Sequence, residues 1–237
     1  MRQMHYKRIR IPVFILSILT TAFGIDLITA ASLGTSPISS VPLVLSFYFP
    51  WTFGQLTFVM NMAFIVLQFL LLRRNFRPLE ILQVGINVIF SYALDLYMPL
   101  LAGLQHLSLP LQVLFLVLGC AVLGFGICIE TASQVLMVPG DGAVKAIAQV
   151  GKWRMGSTKV AFDTTMVTLA VILSFLYGGL GTLSGLGIGT GTVISAMLVG
   201  RFVNFFNRHV FFIERLARLS LADENRGAAP AAVAENR

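Results

Sequence analysis

Four acids stand inside long apolar runs of this chain: Asp26, Asp95, Glu130 and Asp163. No Lys or Arg sits well inside those runs to neutralise them. An ionisable side chain so placed faces a bundle interior or a water-filled cavity, and is a candidate for holding a proton, an ion or a polar ligand. Depth separates the four. Asp26 and Asp95 fall toward one end of their runs and Glu130 toward the other, where water is expected to reach them. Asp163 is deeper, although Lys159, one helical turn earlier, is within reach. A central Asp costs about +2.5 to +3.5 kcal/mol on insertion, against about −0.3 to −0.6 for each strongly apolar residue. The nine Leu, Ile, Val and Phe residues of 160–178 offset that with little to spare. Asp163 therefore needs a reason, either an interhelical hydrogen bond or a substrate or proton site.

Two breaks in the apolar pattern bring polar backbone to these side chains. The first reads Leu33-Gly34-Thr35-Ser36-Pro37 and the second Met137-Val138-Pro139-Gly140-Asp141-Gly142. Ser36 and Pro37 suit the N-cap and first position of a new helix. Pro139 and Gly140 interrupt the second run in the same way. About 13 to 15 residues follow each break before the next apolar run, too few to cross a bilayer, which takes about 20. They suit re-entrant half-helices or interfacial helices. A half-helix N-terminus inside a membrane presents free N–H groups and a positive dipole end to an anion or polar substrate.

Other chemistry is not legible. The run Gly185-Leu186-Gly187-Ile188-Gly189-Thr190-Gly191 lacks the GxGxxG spacing of a dinucleotide site. It reads as a small-residue packing surface or as exposed backbone, and Gly124 with Cys128 is a surface of the same kind. Cys120 and Cys128 are eight positions apart; that is about 12 Å of helix, too far for a disulfide, and no metal spacing surrounds them. His5, His106 and His209 lie outside the apolar runs. With no catalytic triad, nucleotide loop or metal set, the chain is expected not to be an enzyme and to use no cofactor.

The elements that position these residues are membrane helices. Of 237 residues, 57% are hydrophobic and 11% charged, whereas soluble domains carry about 25% charged. Apolar runs at 11–33, 52–72, 80–101, 111–134, 160–178 and 185–206 predict six spans. All 17 Lys and Arg fall in 2–10, 73–77, 145–159 and 201–237. Basic loops therefore alternate with charge-free ones, which puts both termini in the cytoplasm. The net charge of +7 reflects topology, and no nucleic-acid partner is expected.

The chain also repeats. An ungapped offset of 102 positions superposes Phe23-Gly24-Ile25 on Phe125-Gly126-Ile127, Pro37 on Pro139, Gly54 on Gly156, and Trp51 on Trp153, the two tryptophans of the sequence. Asn61 falls on Asp163, which makes the two candidates to face each other. Each repeat holds three spans, an odd number, so the second enters the membrane upside down. The expected fold is all-α membrane: six transmembrane helices as two inverted-topology three-helix repeats, each with a broken or re-entrant or interfacial short helix after its first span. The expected organisation is a basic cytoplasmic N-terminus at 1–10, repeat 1 at 11–101, repeat 2 at 111–206, and a cytoplasmic amphipathic and disordered tail at 207–237.

The motifs Leu33-Gly34-Thr35-Ser36-Pro37, Pro139-Gly140-Asp141-Gly142, Gly156 with Phe162-Asp163, and Gly185 through Gly200 carry a resemblance. Over about residues 11–207 the chain resembles the bacterial YczE/YyaS/YitT-type integral membrane proteins. That resemblance implies a six-span bacterial inner-membrane protein and supplies no substrate.

Inverted repeats are a recurring construction of secondary transporters. The expectation is thus a small-molecule or ion secondary transporter or permease of the inner (plasma) membrane. Its midplane site is expected among Asn61, Asp163, Asp141, Glu130, Asp26, Ser36, Pro37, Pro139 and Gly140. The alternatives are a substrate-capture subunit of an ATPase-driven importer and a non-transporting membrane partner protein. Expected partners are the lipid bilayer, a small molecule or ion, and either a second copy of the chain or another membrane protein. Single cysteines in 102–110 should react with a membrane-impermeant maleimide from outside the cell, and those in 145–155 should not. The opposite labelling would reverse the orientation.

Overall fold

The computed structural model describes residues 2–73, 78–133, 135–178 and 189–209. Among these residues the chain is all helical, with α1 (Arg2–Ala30), α2 (Ser40–Tyr48), α3 (Phe53–Leu72), α4 (Gln83–Leu101), α5 (Leu109–Ser133), α6 (Pro139–Gly151), α7 (Met155–Gly178) and α8 (Thr190–His209). Five stretches are long and apolar enough to cross a membrane: Ile11–Ala30, Phe53–Leu72, Glu80–His106, Leu109–Ser133 and Met155–Tyr177. This is the pattern of a multi-pass membrane protein. The sixth expected span, 185–206, falls partly on α8, whose second half carries Arg201 and Arg208, and partly on residues outside the described ones. Gly185, Gly187, loop residues 74–77 and the tail beyond His209 lie outside them too. Two boundaries differ from expectation. α1 continues back to Arg2, and α7 starts at Met155, which brings Lys159 inside a helix.

α1 pairs with α5 at the centre; α4 packs on α1, and α8 on α5. α3 lies against α4, α2 and α6, while α7 lies against α2 and α6. Lipid tails are as apolar as Leu, so such helices are held by close van der Waals fit rather than by the hydrophobic effect. The α1–α5 contact illustrates it. A Cβ on Gly24 would lie 2.6 Å from the Leu123 backbone nitrogen, and one on Gly126 would lie 2.9 Å from that of Thr21. Cys120 and Cys128 are buried and free; Cys120 packs in the apolar core, and Cys128 Sγ donates to Val203 O at 3.3 Å. Asp95 has a local role: it accepts from Thr52 Oγ1 at 2.6 Å and from the Gly54 N–H at 2.8 Å, holding the start of α3.

Both breaks are stitched into the bundle. α1 ends at Ala30, and the chain turns at Ser32, whose φ of 58° is left-handed. From there α8 supplies the partners. Leu33 O accepts from the Gly191 N–H at 2.9 Å, the Thr35 N–H donates to Thr192 Oγ1 at 3.2 Å, and Ser195 Oγ donates to Thr35 O at 2.8 Å. A side chain on Gly34 would strike Thr192, and one on Gly191 would strike Leu33 O. This part of the glycine run is therefore a site of close backbone approach. α2 does not start directly after Ser36, as the N-cap expectation had it. Ser36 O and Pro37 O first accept from the N–H groups of Ser39 and Ser40, making a turn ahead of the helix. Pro139 does occupy the first turn of α6. There the Val138 N–H donates to Glu130 Oε1 at 2.9 Å, and Gln68 Nε2 donates to Pro139 O at 3.0 Å.

Gly24→Ala should lower the melting temperature of the detergent-purified protein, because overpacking costs about 1–3 kcal/mol. Gly85→Ala has open space around it and should raise the melting temperature or leave it unchanged, since Ala is favoured in a helix by about 1 kcal/mol. Equal shifts for the two would contradict the close α1–α5 approach.

Candidate functional site

A cavity of about 440 Å³ lies where the two breaks meet. Every helix contributes to its lining: Thr21 and Ile25 from α1, Pro42 from α2, Asn61 and Phe64 from α3, and Phe90 from α4. Across from them stand Leu123 and Glu130 of α5, Asp141 of α6, Asp163 of α7 and Asn204 of α8. The starts of the two short helices touch there, since a Cβ on Gly140 would stand 3.2 Å from Ile38 Cδ1.

Ser36, Pro37, Asn61, Glu130, Gly140, Asp141 and Asp163, all expected site residues, line this one cavity. They come from distant parts of the sequence and are gathered by the packing of α3, α5, α6 and α7 around the first break. Asp26 and Pro139 are not part of the lining. Pro139 is buried behind it and holds Gln68 through its carbonyl. Asp26 is fully buried in α1, and neither carboxyl oxygen has a partner among the described residues. The expectation that water reaches Asp26 fails. Helix packing encloses it, whereas Glu130 is 4% exposed and borders the cavity.

The charged groups form one cluster. Lys159 Nζ lies 2.9 Å from Asp141 Oδ1 and 3.2 Å from Asp163 Oδ1. Glu130 uses Oε1 to accept from the Val138 N–H, while its Oε2 is buried with no partner among the described residues. Lys159 was the residue that sequence reasoning undervalued. Its i,i+4 relation to Asp163 was legible, but its bond to Asp141 depends on how α6 folds back on α7. Asn61 is engaged elsewhere: its Nδ2 donates to Asn87 Oδ1 at 2.8 Å, and Asn87 Nδ2 donates to Phe58 O at 3.0 Å. Asn61 and Asp163 thus share a cavity, while the hydrogen bond of Asn61 runs to α4. Two turns further along α3, Gln68 pairs with Gln83 of α4 at 3.2 Å. The spacing of Asn61 with Gln68 and of Asn87 with Gln83 on two helices was the available signal for this buried polar ladder.

Lys159, Asp141 and Asp163 are partly buried, and removing one partner of an ion pair shielded from water leaves a charge without compensation, which is worse than removing both. Lys159→Gln should therefore lower the melting temperature more than the double variant Lys159→Gln/Asp163→Asn. If the double variant were the less stable of the two, Lys159 would not be balancing Asp163.

Residues 8–208 match the model of a family of unknown function, DUF6198. No curated protein and no solved structure matches the chain. Since the match runs from the early turns of α1 to the end of α8, the chain belongs to the DUF6198 family.

Proposed function

We propose that this protein is a small secondary transporter or permease of a bacterial inner membrane, built as two inverted three-span repeats with its ligand site in the cavity between them. The observation that carries this reading is the reciprocity of contacts around that cavity. Gly24 presses on Leu123 while Gly126 presses on Thr21, and the 102-position offset converts each pair into the other. Ile38 and Gly140 touch and are each other's counterparts under the same offset. Met60, Phe64, Phe162 and Met166 pack together as a set that the offset maps onto itself. Exchanged pairs of this kind are what a two-fold relation requires.

Element boundaries agree. α3 starts at Phe53 and α7 at Met155, the same 102 positions apart, and each follows a short helix and an exposed tryptophan, Trp51 or Trp153. In this reading 185–206 is the sixth span and the odd number of spans per repeat inverts the second half. The basic loops then place both termini in the cytoplasm. The two repeats are not packed alike: α3 lies along α4, while α7 makes no comparable contact with α8 among the described residues. Unequal packing of equivalent helices supports one of two interchangeable states, as alternating access between inverted repeats demands. The likeness to YczE/YyaS/YitT-type proteins rests on the break motifs and supports the membrane setting.

The test needs no ligand. In a Cys120→Ala/Cys128→Ala background, Ser39→Cys puts a single near-isosteric thiol in the cavity lining. Reconstituted in vesicles without ATP, it should react with an impermeant maleimide added on either side. Reaction from one side only, or from neither, would favour the capture-subunit or partner roles over transport.

A further inference from the structure

Resting on the cavity site proposed above, we infer that its ligand is an organic cation with an apolar body. A volume of about 440 Å³ falls in the range of small-molecule sites, about 300–1,000 Å³, and is far larger than a single inorganic ion needs. Most of the wall is apolar, with Ile38, Leu123, Ile127 and Val199 beside the rings of Phe64 and Phe90. No group of three His, Cys, Asp or Glu among the described residues is placed to hold a metal ion.

The sign of the charge follows from counting what is already engaged. Three carboxyl groups, Glu130, Asp141 and Asp163, line the cavity against one ammonium, Lys159. Lys159 is held between Asp141 and Asp163 through one oxygen of each. Glu130 Oε2 takes no part in that pairing and is buried with no partner among the described residues. A buried carboxyl oxygen of this kind calls for a cationic or hydrogen-bonding partner.

The helix starts do not reverse the balance. Each helix N-terminus contributes about +0.5 of a charge, so two of them leave a formal excess of negative charge over the cluster. They are poor anion sites as well. At α2 the Ser39 and Ser40 N–H groups are taken by Ser36 O and Pro37 O, and Pro37 and Pro42 have no N–H to give. At α6 the first turn carries Asp141 itself. The aromatic rings of Phe64 and Phe90 in the lining are groups that attract a cation.

A matched pair of probes tests the sign. Tetraphenylphosphonium and tetraphenylborate have nearly the same size and shape and opposite charge. Binding of each to the full chain in lipid nanodiscs would be measured by equilibrium dialysis against empty nanodiscs. Tetraphenylphosphonium should bind and tetraphenylborate should not. Glu130→Gln and Asp163→Asn should each weaken the cation by about tenfold or more, the effect of losing one charged contact. Glu80→Gln, a neutralisation outside the cavity lining, should leave it unchanged. Glu130→Gln keeps an acceptor for the Val138 N–H, and gel filtration would confirm that each variant is folded. Preference for the borate, binding of neither ion, or cation binding indifferent to Glu130→Gln would overturn the assignment. The two readings fail separately. Two-sided thiol access without cation binding removes only the ligand class, whereas cation binding with one-sided access removes only transport.

Discussion

A helix interrupted inside an apolar bundle exposes backbone groups that lipid cannot satisfy, and the architecture of this protein depends on how that demand is met. Both interruptions recruit side chains from other helices. Thr192 and Ser195 of α8 bond the backbone of Thr35, and the Gly191 N–H reaches Leu33 O. Gln68 of α3 and Glu130 of α5 do the same for Pro139 and Val138. These bonds draw α8 toward the first break and α3 and α5 toward the second. The cavity is the space left between two breaks held in this way.

The same demand explains where polarity is found in so apolar a chain. Asn61 with Asn87 and Gln68 with Gln83 tie α3 to α4 where lipid offers no competing partner. Lys159 sits between two acids, with each charge stabilised by the other in a setting where a lone one would be costly. Glu130 belongs to both systems. One oxygen caps the second break and the other is left over, so a structural bond fixes the group that the proposed ligand would meet. Close packing completes the frame, since Gly24 and Gly126 let α1 and α5 approach backbone to backbone.

Much of this was legible in the sequence, because the relevant signals are local or periodic. Five of the apolar runs coincide with helices long and apolar enough to cross a membrane, and Pro139 stands in the first turn of α6. The two proline-containing breaks were recognised as places where the chain departs from a plain span. Three things were misread. Ser36 was read as standing directly before a helix, and its Oγ does accept from the Ser39 N–H, but a turn closed by the carbonyls of Ser36 and Pro37 delays α2 to Ser40. Asp26 was assigned to the wetter end of its run, but depth along a helix does not determine which face is enclosed. Lys159 was placed in a loop, whereas α7 begins at Met155 and carries it inward.

The sequence by itself determined the class of protein, the positions of most helices and breaks, and the residues with chemistry to offer, since hydropathy and proline act within a few residues of where they stand. It also held the 102-position repeat, which any ungapped comparison of the chain with itself reveals. Tertiary structure alone decided which candidates share a space. The pairing of Lys159 with Asp141, the exclusion of Asp26 from the cavity, and the contact of Ile38 with Gly140 all depend on packing between helices far apart in the chain. Spacing along one helix fixes a face, but the neighbour that the face meets is set by the fit of the whole bundle.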